Sequence, residues 1–181
     1  MPDENHPTRS LLLDTGLALA ETGTLAAMSV DHVVRAAGVS KGTFYVHFKD
    51  RMSYLAALHR RFYETVGERI RTATASLAPG GERLRRASEV YLDECLRARG
   101  VRAMLLEVRS EPVIASQIRE NIALFGALAA EDLRALRVPE PTSAARLYVA
   151  MVHEPALAEL ERGRLDSKAR RALWHLGQLE A

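Results

Sequence analysis

The chain has 181 residues, of which 48% are hydrophobic and only 6% aromatic, with a formal net charge of +2. That length can bury a core in one or two domains, and the balance of Ala, Leu, Arg and Glu over sparse Gly and Pro favours helix throughout. The small net charge excludes a chain-wide polybasic footprint, a single cysteine excludes an intramolecular disulfide, and no apolar run reaches the roughly 18 residues that a membrane span needs.

Met1–His6 is polar and reads as disordered. A first helix is expected from Pro7 to Thr22, with Leu13, Leu17 and Ala20 on one face and Gly23 as its stop. Ser29 can cap a short second helix, because its hydroxyl accepts from a first-turn amide. Val30, Val33, Val34 and Ala37 then fall at i, i+3, i+4 and i+7, one apolar face about two turns long. Gly38 ends that helix, since glycine takes the left-handed cap conformation without steric cost. Ser40 caps a third helix, in which Phe44 and Phe48 give a buried edge at i, i+4. Two short helices joined by a glycine turn make a helix-turn-helix.

With side chains placed about 100° apart, Phe44 and Phe48 set the core direction of the third helix. Gly42, Thr43 and Val46 lie opposite, and Tyr45 and His47 fall on the two flanks. A helix entering a major groove needs small side chains at its floor and hydrogen-bonding groups at its edges to reach the phosphates. Lys41, Lys49 and Arg51 add charge, so Ser29–Arg51 carries a local net of +2 and two of the chain's three lysines. The literal G-x-S-x-G at Gly38–Gly42 belongs to a hydrolase only between a strand and a helix; here a helix precedes it, and Ser40 is read as a cap.

At these residues the sequence resembles the TetR family of bacterial transcriptional regulators. The run G-V-S-K-G-T-F-Y-V-H-F-K-D-R looks like that family's recognition helix leading into its fourth helix, and Leu19, Gly23 and the Val30/Val33/Val34 set match its first two. The resemblance covers about the first quarter of the chain. It implies that Lys41, Gly42, Thr43, Tyr45 and His47 face DNA, and that Arg51 stands where the family usually has a backbone-contacting lysine. Arg51 keeps the charge and changes the donor geometry. Ser29, Ser40 and Lys49 complete the expected DNA-binding set.

Asp50 caps a long fourth helix from Arg51 to about Leu77, with Leu55, Leu58, Phe62, Val66 and Ile70 at helical spacing. It is expected to link the head mechanically to the rest. Pro79-Gly80-Gly81 breaks the chain. A fifth helix is expected over Glu82–Arg99, ended by Gly100, and a sixth over Val101–Ser110, cut off by Pro112. A seventh runs from Val113 to about Arg137, carrying Ile114, Ile118, Ile122, Phe125 and Leu128. An eighth extends to Arg162, and a ninth covers Ser167–Gln178. Pro155 inside the eighth removes one backbone hydrogen bond, and is expected either to bend the helix or to split it.

The expected fold is therefore all-α, about nine helices. Residues 1–51 form a three-helix helix-turn-helix head and residues 52–181 a helical ligand-binding and dimerisation body. In the family, the body forms a homodimer through its last two long helices and binds a small molecule. Two recognition helices must sit ~34–36 Å apart to enter successive major grooves, so a shift of a few Å disengages one of them. Polar or aromatic candidates for the effector site are Tyr91, Met104, Arg109, Phe125, Tyr148, His153 and Trp174, each of which also suits ordinary core packing. Glu107 or Arg109, if buried, would point to a charged effector.

No catalytic residue, metal site or cofactor is expected. His153-Glu154 begins an H-E-x-x-H, but Leu157 stands where the second histidine would be. The six histidines are scattered, and Cys95 reads as a helix-core residue, with redox sensing beside Arg97 and Arg99 as the other reading. Leu11–Leu13 is broken by Asp14 and lacks a basic lead, so no signal peptide is expected and the chain is placed in the cytoplasm. The expected partners are double-stranded operator DNA, an effector and a second copy of the chain, with no membrane. Two other classes remain: a helical protein-interaction adaptor without operator binding, and a small helical enzyme for which no convergent pair of titratable groups is visible.

Overall fold

The structure, a computed structural model, describes residues 6–22 and 29–177. Among these residues every regular element is helical: α1 (Pro7–Thr22), α2 (Val30–Ala37), α3 (Lys41–His47), α4 (Arg51–Thr74), α5 (Gly81–Arg97), α6 (Arg99–Val108), α7 (Pro112–Ala135), α8 (Pro141–Arg162) and α9 (Ser167–Leu176). Of the polar start, only His6 is described, and Gly23, expected to stop α1, lies outside the described residues. No described helix is long and apolar enough to cross a membrane.

The chain divides into two compact units. The first runs to Glu64 and takes in Ala98–Ala115, so it holds α1–α3, the start of α4, α6 and the first turn of α7. In it α1 packs on α2, α3 and α6. Leu12, Leu13, Val33, Phe44, Phe48, Tyr54, Leu55 and Leu58 are its buried centre. Phe44, Phe48 and Tyr54 form a ring cluster with centroids 5.0–5.3 Å apart, within the range that favours tilted and edge-to-face contacts. The Tyr54 hydroxyl is buried and donates to the Leu12 carbonyl at 3.1 Å, tying α4 to α1. At the head of α4, Asp50 and Ser53 cap each other: the Ser53 amide donates to Asp50 Oδ1 at 2.7 Å and the Asp50 amide to Ser53 Oγ at 3.1 Å. That reciprocal exchange satisfies two amides at the helix start.

The second unit comprises Thr65–Arg97 and Ser116–Ala181. Here α5 packs on α8, and α8 on α9. Leu84, Leu92 and Cys95 from α5 and Ala145, Tyr148, Val152 and Ala156 from α8 are buried. Three buried polar groupings fix the helices. Arg83 donates to Asp132 at 2.6 Å, and the same carboxylate accepts from the Gly80 amide at 2.9 Å. Ser88 Oγ and Tyr148 Oη share a 2.8 Å bond. Arg170 donates to both oxygens of Glu159, at 2.7 and 2.8 Å, and to Asp93 at 2.6 Å. Glu159 is fully buried, so its charge is tolerable only because it is paired and hydrogen-bonded.

Two expectations are corrected. Gly100 does not end the fifth helix: α5 stops at Arg97, Ala98 takes a non-helical conformation (φ −96, ψ 48), and Gly100 lies buried in the first turn of α6. A glycine lowers helix propensity without forbidding helix, and burial here outweighs that cost. Pro155 does not split the eighth helix either. α8 runs through it from Pro141 to Arg162, with Val152, Pro155, Ala156 and Glu159 all buried, so packing on both sides of the missing hydrogen bond holds the helix together.

Candidate nucleic-acid interface

The turn between α2 and α3 is built as its residues dictate. Ser29 Oγ accepts from the His32 amide at 3.3 Å and Ser40 Oγ from the Thr43 amide at 3.0 Å, so each short helix starts on its own serine. Gly38 has φ 68, and the amides of Gly38 and Val39 donate back to Arg35 and Val34. This is a Schellman close, whose left-handed residue favours glycine.

Phe44, fully buried, anchors α3 and defines what faces water. Lys41, Gly42, Tyr45 and Val46 are exposed, as are Lys49 and Arg51 after the helix. Tyr45 is 54% exposed, with its ring edge-on to Phe44 at 5.4 Å. A Cβ on Gly42 would meet only Ser40 Oγ, at 3.5 Å. The side of α3 at its centre is thus open down to the backbone. Lys41 is paired with Asp31 of α2 at 2.6 Å, and this hydrogen bond raises the ammonium's pKa. Thr43 is half-buried and its hydroxyl shares a 2.9 Å bond with Ser40.

His47 departs from the expected flank. It is only 9% exposed, its ring lies 4.6 Å from that of His6, and its Nδ1 is buried with no hydrogen-bond partner among the described residues. The physical reason lies one residue on. Phe48 has left the helix (φ −135, ψ 119), so Phe44 alone sets the core direction. At about 100° per residue that puts His47 about 60° from the core side and Tyr45 about 100° from it. The two flanks are therefore unequal: Tyr45 stands in solvent and His47 is covered. Burial, and then the neighbouring His6 and Arg9, push the His47 pKa down. Arg9 itself lies over the Phe48 ring, 5.1 Å from its centroid.

Of the effector-site candidates, three meet in the second unit. The Tyr91 hydroxyl and His153 Nδ1 are 3.3 Å apart, and the Tyr91 and Phe125 ring centroids 6.3 Å. They come from α5, α8 and α7. Tyr148 is spent on Ser88, and burial pushes its hydroxyl pKa up to about 12. Trp174 is buried on α9. Met104 is fully buried on α6, in the first unit. Arg109, also in that unit, is corrected: it caps the end of α6 and is exposed, as is Glu107. Exposure leaves both charges in water, so the burial that would have pointed to a charged effector is found at neither residue. Among buried polar side chains that periodicity did not single out are His59, Arg102 and Gln117. Cys95 is buried in α5. No group of three His, Cys, Asp or Glu among the described residues is placed to hold a metal ion.

Residues 12–58 match the family described as bacterial regulatory proteins, tetR family. No curated protein matches the chain. Solved structures share its fold along nearly the whole length. A transcriptional regulator from a Rhodococcus species is 23% identical with a TM-score of 0.79, over 94% of this chain and 95% of its own. A tetR-family transcriptional regulator from Streptomyces coelicolor is 20% identical with a TM-score of 0.74, over 99% of this chain and 82% of its own. The multidrug binding protein EbrR, complexed with imidazole, is 23% identical with a TM-score of 0.71, over 97% of this chain and 93% of its own.

Proposed function

We propose that this chain is a tetR-family transcriptional regulator, a homodimeric repressor released from a palindromic operator by a small-molecule effector; the family match over residues 12–58 and the shared fold support the reading. The observation that carries the reading is the orientation of α3: Phe44 inward, and Lys41, Gly42, Tyr45 and Val46 outward from one short helix. Tyr45 and the lysines serve as phosphate contacts at the edges, and Gly42 lets the backbone approach the groove floor. Residues 1–51 act as the head and 52–181 as the body.

Leu124 and Leu128 lie one turn apart on α7 and are 58% and 42% exposed, and Leu147 on α8 is 69% exposed. Apolar side chains displayed this way suit an interface with a second copy. The Tyr91–Phe125–His153 grouping, which brings a hydroxyl, an apolar ring and an imidazole together from three helices, is the proposed effector contact. The effector need only prefer the wrongly spaced dimer, by a coupling of roughly 1–3 kcal/mol.

The test is DNA binding by fluorescence anisotropy, on duplexes selected from a random pool, over a salt series. Operator binding weakens steeply with salt as counterions are released from phosphates, and Tyr45→Ala lowers affinity without loss of helix content. A protein-interaction adaptor would bind no selected duplex above background, and unchanged affinity in Tyr45→Ala would remove α3 from the interface.

A further inference from the structure

Val46 is 69% exposed, an apolar side chain in the middle of the solvent face of a helix whose other side is locked by a fully buried phenylalanine. Its surroundings restrict what it can meet. Gly42, one turn earlier, presents no side chain, and a Cβ there would find only Ser40 Oγ within 4 Å. Lys41 lies in the first turn beside Asp31, at 2.6 Å, and the half-buried Thr43 shares a 2.9 Å hydroxyl bond with Ser40, so these polar groups flank the face rather than occupy its centre. The centre of α3 therefore offers bases an apolar surface rather than a donor or an acceptor.

In the major groove, the one apolar feature on a base edge is the thymine C5-methyl group. Every other edge presents a nitrogen or oxygen that would be desolvated against Val46 without a partner. Valine's two methyls are fixed by a stiff χ1, so little side-chain freedom is lost on contact. Resting on the operator-binding reading above, we propose that Val46 is a specificity-determining residue that reads a thymine methyl group in each operator half-site, with Gly42 providing the close approach.

The experiment starts from the full-length chain and duplexes selected from a random pool. Each thymine of the selected half-site is replaced in turn by deoxyuridine, which removes the methyl group and leaves every hydrogen-bonding atom in place. One position is expected to lose about fourfold in affinity per half-site, the equivalent of one buried methyl at about 0.8 kcal/mol. Val46→Ala, at an exposed helical site where alanine is well tolerated, is expected to fold normally and to bind thymine and deoxyuridine duplexes alike at that position. Equal affinity of the wild-type chain for thymine and deoxyuridine at every position overturns the inference while leaving operator binding intact. So does a Val46→Ala variant that loses affinity equally for both duplexes, since Val46 would then contact something other than the methyl. Failure to select any duplex with salt-dependent binding overturns the operator reading and this inference together.

Discussion

Gly16→Ala is expected to destabilise the protein, against the general rule for a glycine inside a helix. In an ordinary helix interior the change gains about 1 kcal/mol. Here a Cβ at position 16 lands on the Tyr54 hydroxyl and within 3.1 Å of Leu58 Cδ1. Tyr54 is fully buried, with the Phe44 and Phe48 rings 5.2 and 5.0 Å away, so its ring cannot swing clear. Overpacking costs about 1–3 kcal/mol, and losing the Tyr54–Leu12 hydrogen bond about 0.5–1.5. Against the helical gain, the net loss is about 1–3 kcal/mol, readable by urea or thermal unfolding at about 2–4 °C per kcal/mol for a chain of this size. The double variant Gly16→Ala/Tyr54→Phe removes the colliding oxygen, so its loss is expected to be smaller than the sum of the two single losses. A Gly16→Ala protein more stable than wild type, or strict additivity in the cycle, would refute the reasoning.

Three further outcomes are expected. Gly42→Ala has room within the protein, so unfolding should show unchanged or slightly raised stability, while selected-duplex affinity falls because the helix backbone is held off the bases; undiminished affinity would count against Gly42 as the groove floor. Glu159→Gln removes the buried countercharge of Arg170 and one of its two acceptors, leaving Asp93 as the remaining carboxylate, and is expected to cost about 3 kcal/mol in urea unfolding, whereas Glu159→Leu/Arg170→Met should cost much less. His47 has its pKa lowered below the ordinary 6.5, so the unfolded chain binds the proton more tightly and its contribution to stability is present above about pH 6.5 and lost as the pH falls through the folded value. Stability measured from pH 7 to 5 should fall less steeply in His47→Asn than in wild type, and parallel profiles would exclude His47 as the source.

The head was legible because its signals are local. Ser29, Gly38 and Ser40 act on amides within a few residues, and each does in space what its neighbours in the chain imply. His47 was misplaced by a single residue's conformation: taking Phe48 as helical made the two flanks symmetric, and its extended backbone breaks that symmetry. The body shows the same division. Arg137 closes α7 as Gly38 closes α2, with φ 57 and the amides of Arg137 and Val138 donating back to Arg134 and Leu133. Glycine announces such a close and arginine does not, so the end of α7 could be read only to within a turn.

Partnerships across long stretches of chain were the part that periodicity could not supply. Tyr148, a polar aromatic on a buried face, shares a hydrogen bond with Ser88, 60 residues earlier. Nothing in the sequence set Arg170 apart, because its partners Asp93 and Glu159 come from two other helices. Residue type and helical phase gave Tyr148 its buried face, and for both residues they left the partner open. A buried polar side chain therefore finds its partners in the fold before any in a ligand, and those of Tyr148 and Arg170 lie 60 and 77 residues away along the chain.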